Sequence, residues 1–216
     1  MMARGRFITL EGGEGAGKST LARALGERLE QAGHRVVLTR EPGGSPKAEA
    51  IREMILSGQI KPHGAFAEAL MFSAARIDHI AALIGPALAR GDWVVCDRFI
   101  DSTRVYQGLT GEIAAAELVA LERVTIGGLA PDLTLILDLD PKVGLARAAR
   151  RRKPGEATDR FESETLAFHR KLRHGFQAIA EAEPVRCAVL DASLPAPALA
   201  AAAWEIMRAR LTPTQD

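Results

Sequence analysis

The hydrophobic positions of this chain change period repeatedly, and each change marks an element. Phe7, Ile8, Thr9 and Leu10 form a short apolar and β-branched run that predicts a buried strand, and Leu21, Leu25 and Leu29 then recur on one helical face. Gly33 behind Ala32 reads as a helix stop, and Val36, Val37 and Leu38 predict a second strand over residues 35–39. A short helix is expected over 48–56, ending before Gly58. Residues 65–90 read as helical, with Leu70, Ile77, Ile80, Ile84 and Leu88 spaced for burial and Pro86 marking a kink or a break. Trp93 to Cys96 predicts a third strand, residues 101–111 a polar loop and 114–124 a helix. A strand over 133–139 turns through Asp140-Pro141 into another helix. A long helix over 162–182, a strand over 185–190, a helix over 197–210 and a frayed tail over 211–216 complete the chain.

The strand at residues 7–10 and the helix behind it flank Gly12-Gly13-Glu14-Gly15-Ala16-Gly17-Lys18-Ser19, which fits the phosphate-loop pattern Gly-x-x-x-x-Gly-Lys-Ser/Thr. Glycines let the backbone wrap an anion with its N–H groups, and the helix that follows points its positive end at phosphates. In this reading residues 12–19 and Thr20 bind ATP, Lys18 reaches the β/γ-phosphates, and the Ser19 hydroxyl ligates Mg²⁺. Asp97 ends the Trp93 strand and is the expected second Mg²⁺-associated group, with Arg98 beside it at phosphate distance.

Other polar groups leave two readings open. Arg40-Glu41-Pro42-Gly43-Gly44 follows a strand and fits either the rim of the site or a solvated turn. Phe72 and Arg76, four apart, suit stacking on a base and bonding to its edge, but the spacing alone fits core packing beside a surface arginine better. Ser102, Thr103, Arg104, Tyr106 and Gln107 are polar enough to line a pocket. The basic run Arg147, Arg150, Arg151, Arg152, Lys153, Asp159-Arg160, with Pro154-Gly155 inside it, is either a solvated face or a mobile lid over residues 147–160.

Composition narrows the class. At 216 residues, 47% hydrophobic and 25% charged, with a net charge of +1, the chain reads as one globular α/β domain over residues 1–216, without the positive excess of a nucleic-acid binder. Arg4 and Arg6 lead straight into the first strand, and the longest apolar run, residues 80–89, is too short to span a membrane. The expectation is a cytoplasmic protein with no membrane or nucleic-acid partner, and with Cys96 and Cys187 as buried thiols.

The phosphate loop, Arg40-Glu41-Pro42-Gly43-Gly44, Asp97-Arg98-Phe99 and Tyr106-Gln107-Gly108 together resemble bacterial thymidylate kinases over nearly the whole length. The resemblance implies transfer of the γ-phosphoryl of MgATP to dTMP, on a P-loop kinase fold with a five-stranded parallel sheet flanked by helices, in a homodimer. It places Phe72 under the thymine ring, Arg76 at its edge, Arg98 on the dTMP phosphate, Glu14 near the sugar 3′-hydroxyl, and Tyr106 and Gln107 in the same pocket, with Arg40 and Ser102 in the substrate set. Some members of the family carry an arginine inside the loop where this chain has Gly15, so the catalytic cation is expected from Arg150, Arg151 or Arg152. The rivals are another P-loop nucleoside or nucleoside-monophosphate kinase, or a P-loop switch ATPase.

Overall fold

Five parallel strands form one sheet in the order β2-β3-β1-β4-β5. They are Phe7–Gly12 (β1), Val36–Arg40 (β2), Trp93–Asp97 (β3), Leu133–Asp138 (β4) and Cys187–Asp191 (β5). The computed structural model describes residues 5–152 and 160–211. Lys153, Pro154-Gly155, Asp159 and residues 212–216, which carry the expected lid hinge and tail, lie outside the described residues, as does Arg4.

Successive side chains of a strand face opposite sides, and here both sides are covered. Ile8, Leu10, Val95, Leu133, Leu135 and Leu137 pack under Lys18–Gln31 (α1) and Ala196–Leu211 (α9), where Leu21, Leu25, Leu29, Leu199, Ala203 and Met207 are buried. The alternate residues Phe7, Val94 and Cys96 face Phe99, Ile84 and Leu88, and Ile136 meets Leu172 and Phe176 of Leu166–Ala182 (α8). On that same side Thr9 and Thr134 share a 2.7 Å hydroxyl contact. The alternation therefore carries Glu11, two residues beyond Thr9, to the side where the site is built.

The remaining helices are Pro46–Leu56 (α2), Gly64–His79 (α3), Gly85–Ala89 (α4), Ile100–Thr103 (α5), Ala115–Ile126 (α6) and Pro141–Arg151 (α7). Five expectations change. Residues 64–89 do not break at Pro86: a π-helical stretch Ile80–Ile84 joins α3 to α4, and its wider turn accommodates the N–H that Pro86 lacks. Leu70 and Ile77, expected inside, are 46% and 47% exposed. Residues 101–111 are not a loop: α5 runs into a π-helical stretch Arg104–Leu109. Its polar residues looked loop-like because their partners are distant in sequence, as where Asp101 meets Arg186 and Arg104 meets Glu183. The long helix starts at Leu166, capped by the Thr165 hydroxyl, and Leu211 is still helical and buried. No helix among the described residues is long and apolar enough to cross a membrane.

Candidate active site

The turn after β1 exists because of its glycines. Gly12, Gly15 and Gly17 adopt φ of 133°, 65° and 95°, where an L side chain is strained. No side chain caps α1, so its first N–H groups remain available to an anion. Gly15 is further constrained by packing: a Cβ there would overlap the Gly144 carbonyl oxygen on α7, and a Cβ on Gly144 would overlap that of Glu14. Loop and helix meet backbone to backbone, which leaves no room for a side chain at position 15.

Lys18 lies across the loop, its Nζ donating to the carbonyls of Gly12 at 3.2 Å and Gly13 at 2.9 Å. Burial, and then the Arg98 charge, push its pKa down. The parallel register pairs Leu10 with Asp97, and that brings the end of β3 to the loop. There the Ser19 hydroxyl donates to Asp97 Oδ2 at 2.5 Å. One hydroxyl and one carboxylate fit Mg²⁺, which takes one or two carboxylates and completes its shell with phosphate and water. Among the described residues no three His, Cys, Asp or Glu cluster as a protein-only metal site would require. Thr20 is exposed on the first turn of α1.

Arg98 takes φ of 72°, rare for a residue with a side chain, and the last turn of β1 holds it there. Its N–H donates to the Leu10 carbonyl at 2.9 Å, the next N–H, of Phe99, to Glu11 Oε1 at 2.8 Å, and its guanidinium to the Gly12 carbonyl at 3.0 Å. The guanidinium also reaches Ser102 Oγ at 3.2 Å and Glu14 Oε1 at 2.6 Å, over the Tyr106 ring. Tyr106 donates its hydroxyl to the same Glu14 oxygen at 2.9 Å. Burial alone would raise the Glu14 carboxyl, but Arg98, Lys18 and the Tyr106 hydroxyl pull it down to about 2. Glu11 goes the other way, raised to about 7 by burial and then by the Asp101 charge, against the Ser102 hydroxyl, Arg98 and the Phe99 N–H. Sequence reasoning missed Glu11. Its one signal was a charge closing an apolar strand.

The same cleft continues to α3, lined by Phe72, Arg76, Thr103, Gln107, Arg52 and Phe161. Phe72 faces Phe161 with ring centroids 6.2 Å apart. Arg76 is no surface arginine: 2% exposed, it donates to Glu41 Oε2 at 2.6 Å, Thr103 Oγ1 at 3.1 Å and the Phe99 carbonyl at 3.1 Å. Glu41 also meets His79 Nδ1 at 3.0 Å, and the Glu41–Pro42 peptide is cis. The Arg40-Glu41-Pro42-Gly43-Gly44 stretch is thus a rim of the cleft, where Arg40 is exposed and paired with Glu49. Arg104 does not line the cleft; it turns into an ion cluster with Asp101, Glu122 and Glu183.

The basic run is divided. Arg151 lines the cleft and Arg152 donates to Glu162 at 2.6 Å. Arg150 is exposed at the end of α7, while Arg147 donates to the Ala192 carbonyl at 3.0 Å.

The site therefore joins a phosphate loop and an aromatic, arginine-lined pocket in one cleft, with Arg98 between them. Comparison with known proteins agrees. A family model described as thymidylate kinase matches residues 10–202. A thymidylate kinase of Nitrobacter winogradskyi is 58% identical over 96% of this chain and 90% of its own, and one of Bradyrhizobium sp. ORS 278 is 58% identical over 96% and 92%. One of Rhodopseudomonas palustris TIE-1 is 58% identical over 96% and 90%. With the motifs, the cleft and these matches over nearly its full length, the chain belongs to the thymidylate kinase family.

Proposed function

We propose that this protein phosphorylates dTMP to dTDP with MgATP, as a step of dTTP biosynthesis. A 5′-phosphate oxygen of dTMP attacks the γ-phosphorus, the bond from that phosphorus to the β,γ-bridging oxygen breaks, and ADP leaves with the electron pair. The attacking oxygen is already ionised, so no strong base is needed; catalysis is positioning and charge neutralisation. Lys18 and the N–H groups at the start of α1 receive the ATP phosphates, and Arg98, held by β1, receives the dTMP phosphate. Ser19 and Asp97 would hold Mg²⁺, which when bound neutralises charge on the phosphate oxygens. Phe72 stacks on the base, Arg76 and Gln107 read its edge, and Glu14 and Tyr106 sit beside the sugar. Arg150, Arg151 and Arg152 supply further positive charge from the end of α7.

The observation that carries the reading is that Lys18, Ser19, Asp97, Arg98, Phe72, Arg76 and Gln107 line one continuous cleft. An ADP-coupled assay with ATP and each natural nucleoside monophosphate tests it: dTMP is turned over with the highest kcat/KM. Preference for another acceptor, or hydrolysis of ATP without an acceptor, overturns it.

We further infer a homodimer acting in the cytoplasm as one domain. An outward apolar stripe on α3 supports the dimer, and two free, buried cysteines support a reducing compartment.

A further inference from the structure

Glu68 precedes Phe72 by four residues and Arg76 by eight, so all three share one side of α3. Its side chain is 4% exposed, and an ionised carboxylate only accepts hydrogen bonds. Gln107, 1% exposed, donates its Nε2 to Glu68 Oε2 at 2.9 Å. An amide held through its nitrogen offers its carbonyl oxygen on the opposite side. The other Glu68 oxygen lies 3.0 Å from Arg160 Nε, whose charge opposes that of the buried carboxylate. Arg76, a donor at every nitrogen, is fixed by Glu41, and its partner Thr103 stands one helical turn before Gln107. A donor, Arg76, and an acceptor, Gln107, thereby both line the cleft, each held from behind by a buried carboxylate.

We propose that Glu68 is a positioning residue for base specificity: by holding Gln107 through its amide nitrogen, it makes Gln107 an acceptor beside the Arg76 donor. The site then selects a base edge that carries a carbonyl oxygen next to a ring N–H. Thymine and uracil present that edge at C4 and N3. Cytosine and adenine present the reverse, an amino group next to a bare ring nitrogen. To accommodate them Gln107 would have to turn its amide over, setting its carbonyl oxygen against the Glu68 carboxylate. Discrimination is thus enforced by a carboxylate that does not touch the base. This inference rests on the reading of this end of the cleft as the dTMP site.

The test is kcat/KM for dTMP and for dCMP with the intact protein, Glu68→Gln, Gln107→Met and the double variant. Glu68→Gln keeps the shape but can donate as well as accept, so Gln107 is free to turn. The dTMP/dCMP ratio should fall by on the order of tenfold to a hundredfold, with the ATP KM unchanged. Gln107→Met should lower the ratio too, and the double variant should lower it no further, because Glu68 acts through Gln107. Equal losses on both substrates, with the ratio intact, would mean that Glu68 only supports the fold and would overturn the proposal; additive effects in the double variant would do the same. Glu68→Asp, which withdraws the acceptor by one methylene, should also lower the ratio and replaces Glu68→Gln if that variant does not fold. A wild-type protein inactive on dTMP overturns the underlying reading and this inference with it, an outcome distinct from an active enzyme whose ratio ignores position 68.

Discussion

Glu11 closes a strand whose other side chains are apolar or threonine, and it still ends up beside Arg98 and Ser102, because the alternation of β1 turns it towards α5 rather than α1. It accepts from the Phe99 and Ser102 N–H groups and from the Ser102 hydroxyl. With its folded pKa raised from 4.5 to about 7, it binds more protons folded than unfolded between those values. Its contribution to stability is therefore complete below about pH 4.5 and lost as pH rises through about 7, the reverse of Glu14, whose contribution is lost as pH falls from 4.5 through about 2. Glu11→Gln should remove the first of these: thermal unfolding without nucleotide should show the variant gaining on wild type across that window, and parallel pH profiles would refute the assignment. Gly15 gives a second residue-scale expectation. Gly15→Ala adds a Cβ at positive φ against the Gly144 carbonyl, so denaturant unfolding should show a loss of more than about 1 kcal/mol. An unchanged midpoint would mean that loop and α7 part easily. Lys18, Ser19, Asp97 and Arg98 were legible in the sequence because motif and strand end mark them. The roles of Glu41 and Glu68 were not, since each works through another side chain; the stretch holding Glu41 was marked as a candidate rim, and Glu68 had a signal in its spacing to Phe72 and Arg76.

Among the elements, those marked by an apolar run or a helical period read correctly, and those satisfied at a distance did not. All five strands and α1 lie within two residues of expectation because short apolar runs or a helical period mark them in the sequence, even where, as in the edge strand β2, the chain is only half-buried. The stretch from α5 to Leu109 read as a loop because its polar groups bond across the sheet, where Asp101 reaches Arg186 from the β5 side. The end of α7 is where we propose that an element carries chemistry beyond its fold. Arg151 faces the cleft, and the loop lacks a side chain at position 15 for the steric reason given above. An arginine brought to a transferring phosphoryl group is worth on the order of a thousandfold in turnover. Neutralising Arg150, Arg151 and Arg152 together should lower kcat far more than it raises the KM for dTMP. Steady-state kinetics, with circular dichroism to confirm folding, decides: an unchanged kcat removes the catalytic role, and a pure KM effect reassigns the cluster to ground-state binding.

At the scale of the whole molecule, α3 has two working faces. One side of the helix carries Phe72 and Arg76 into the cleft and buries Glu68 and His79 behind it. Nearly opposite, at 3.6 residues per turn, Phe66, Leu70, Ala74, Ile77 and Ala81 form an exposed stripe without a charge, about 22 Å long at the rise of a helix. Val119 and Val124 of α6, 65% and 72% exposed, add apolar surface on a helix that packs against α3. A single apolar stripe on a helix fits a two-fold interface, since the same stripe on a second copy is its own complement. Burying it would account for the outward Leu70 and Ile77, whose spacing called for burial that the isolated chain does not provide. Leu70→Glu with Ile77→Glu should therefore turn a dimer into a monomer, read by sedimentation velocity, without unfolding the chain, because neither side chain belongs to the core. The same helix carries Phe72 and Arg76, proposed above to hold the base, so removing its outer support should raise the KM for dTMP more than that for ATP. A wild-type protein that sediments as a monomer at assay concentration, or a double variant that stays dimeric, would put the interface elsewhere; a monomer with unaltered KM values would mean that α3 holds its cleft face without the partner.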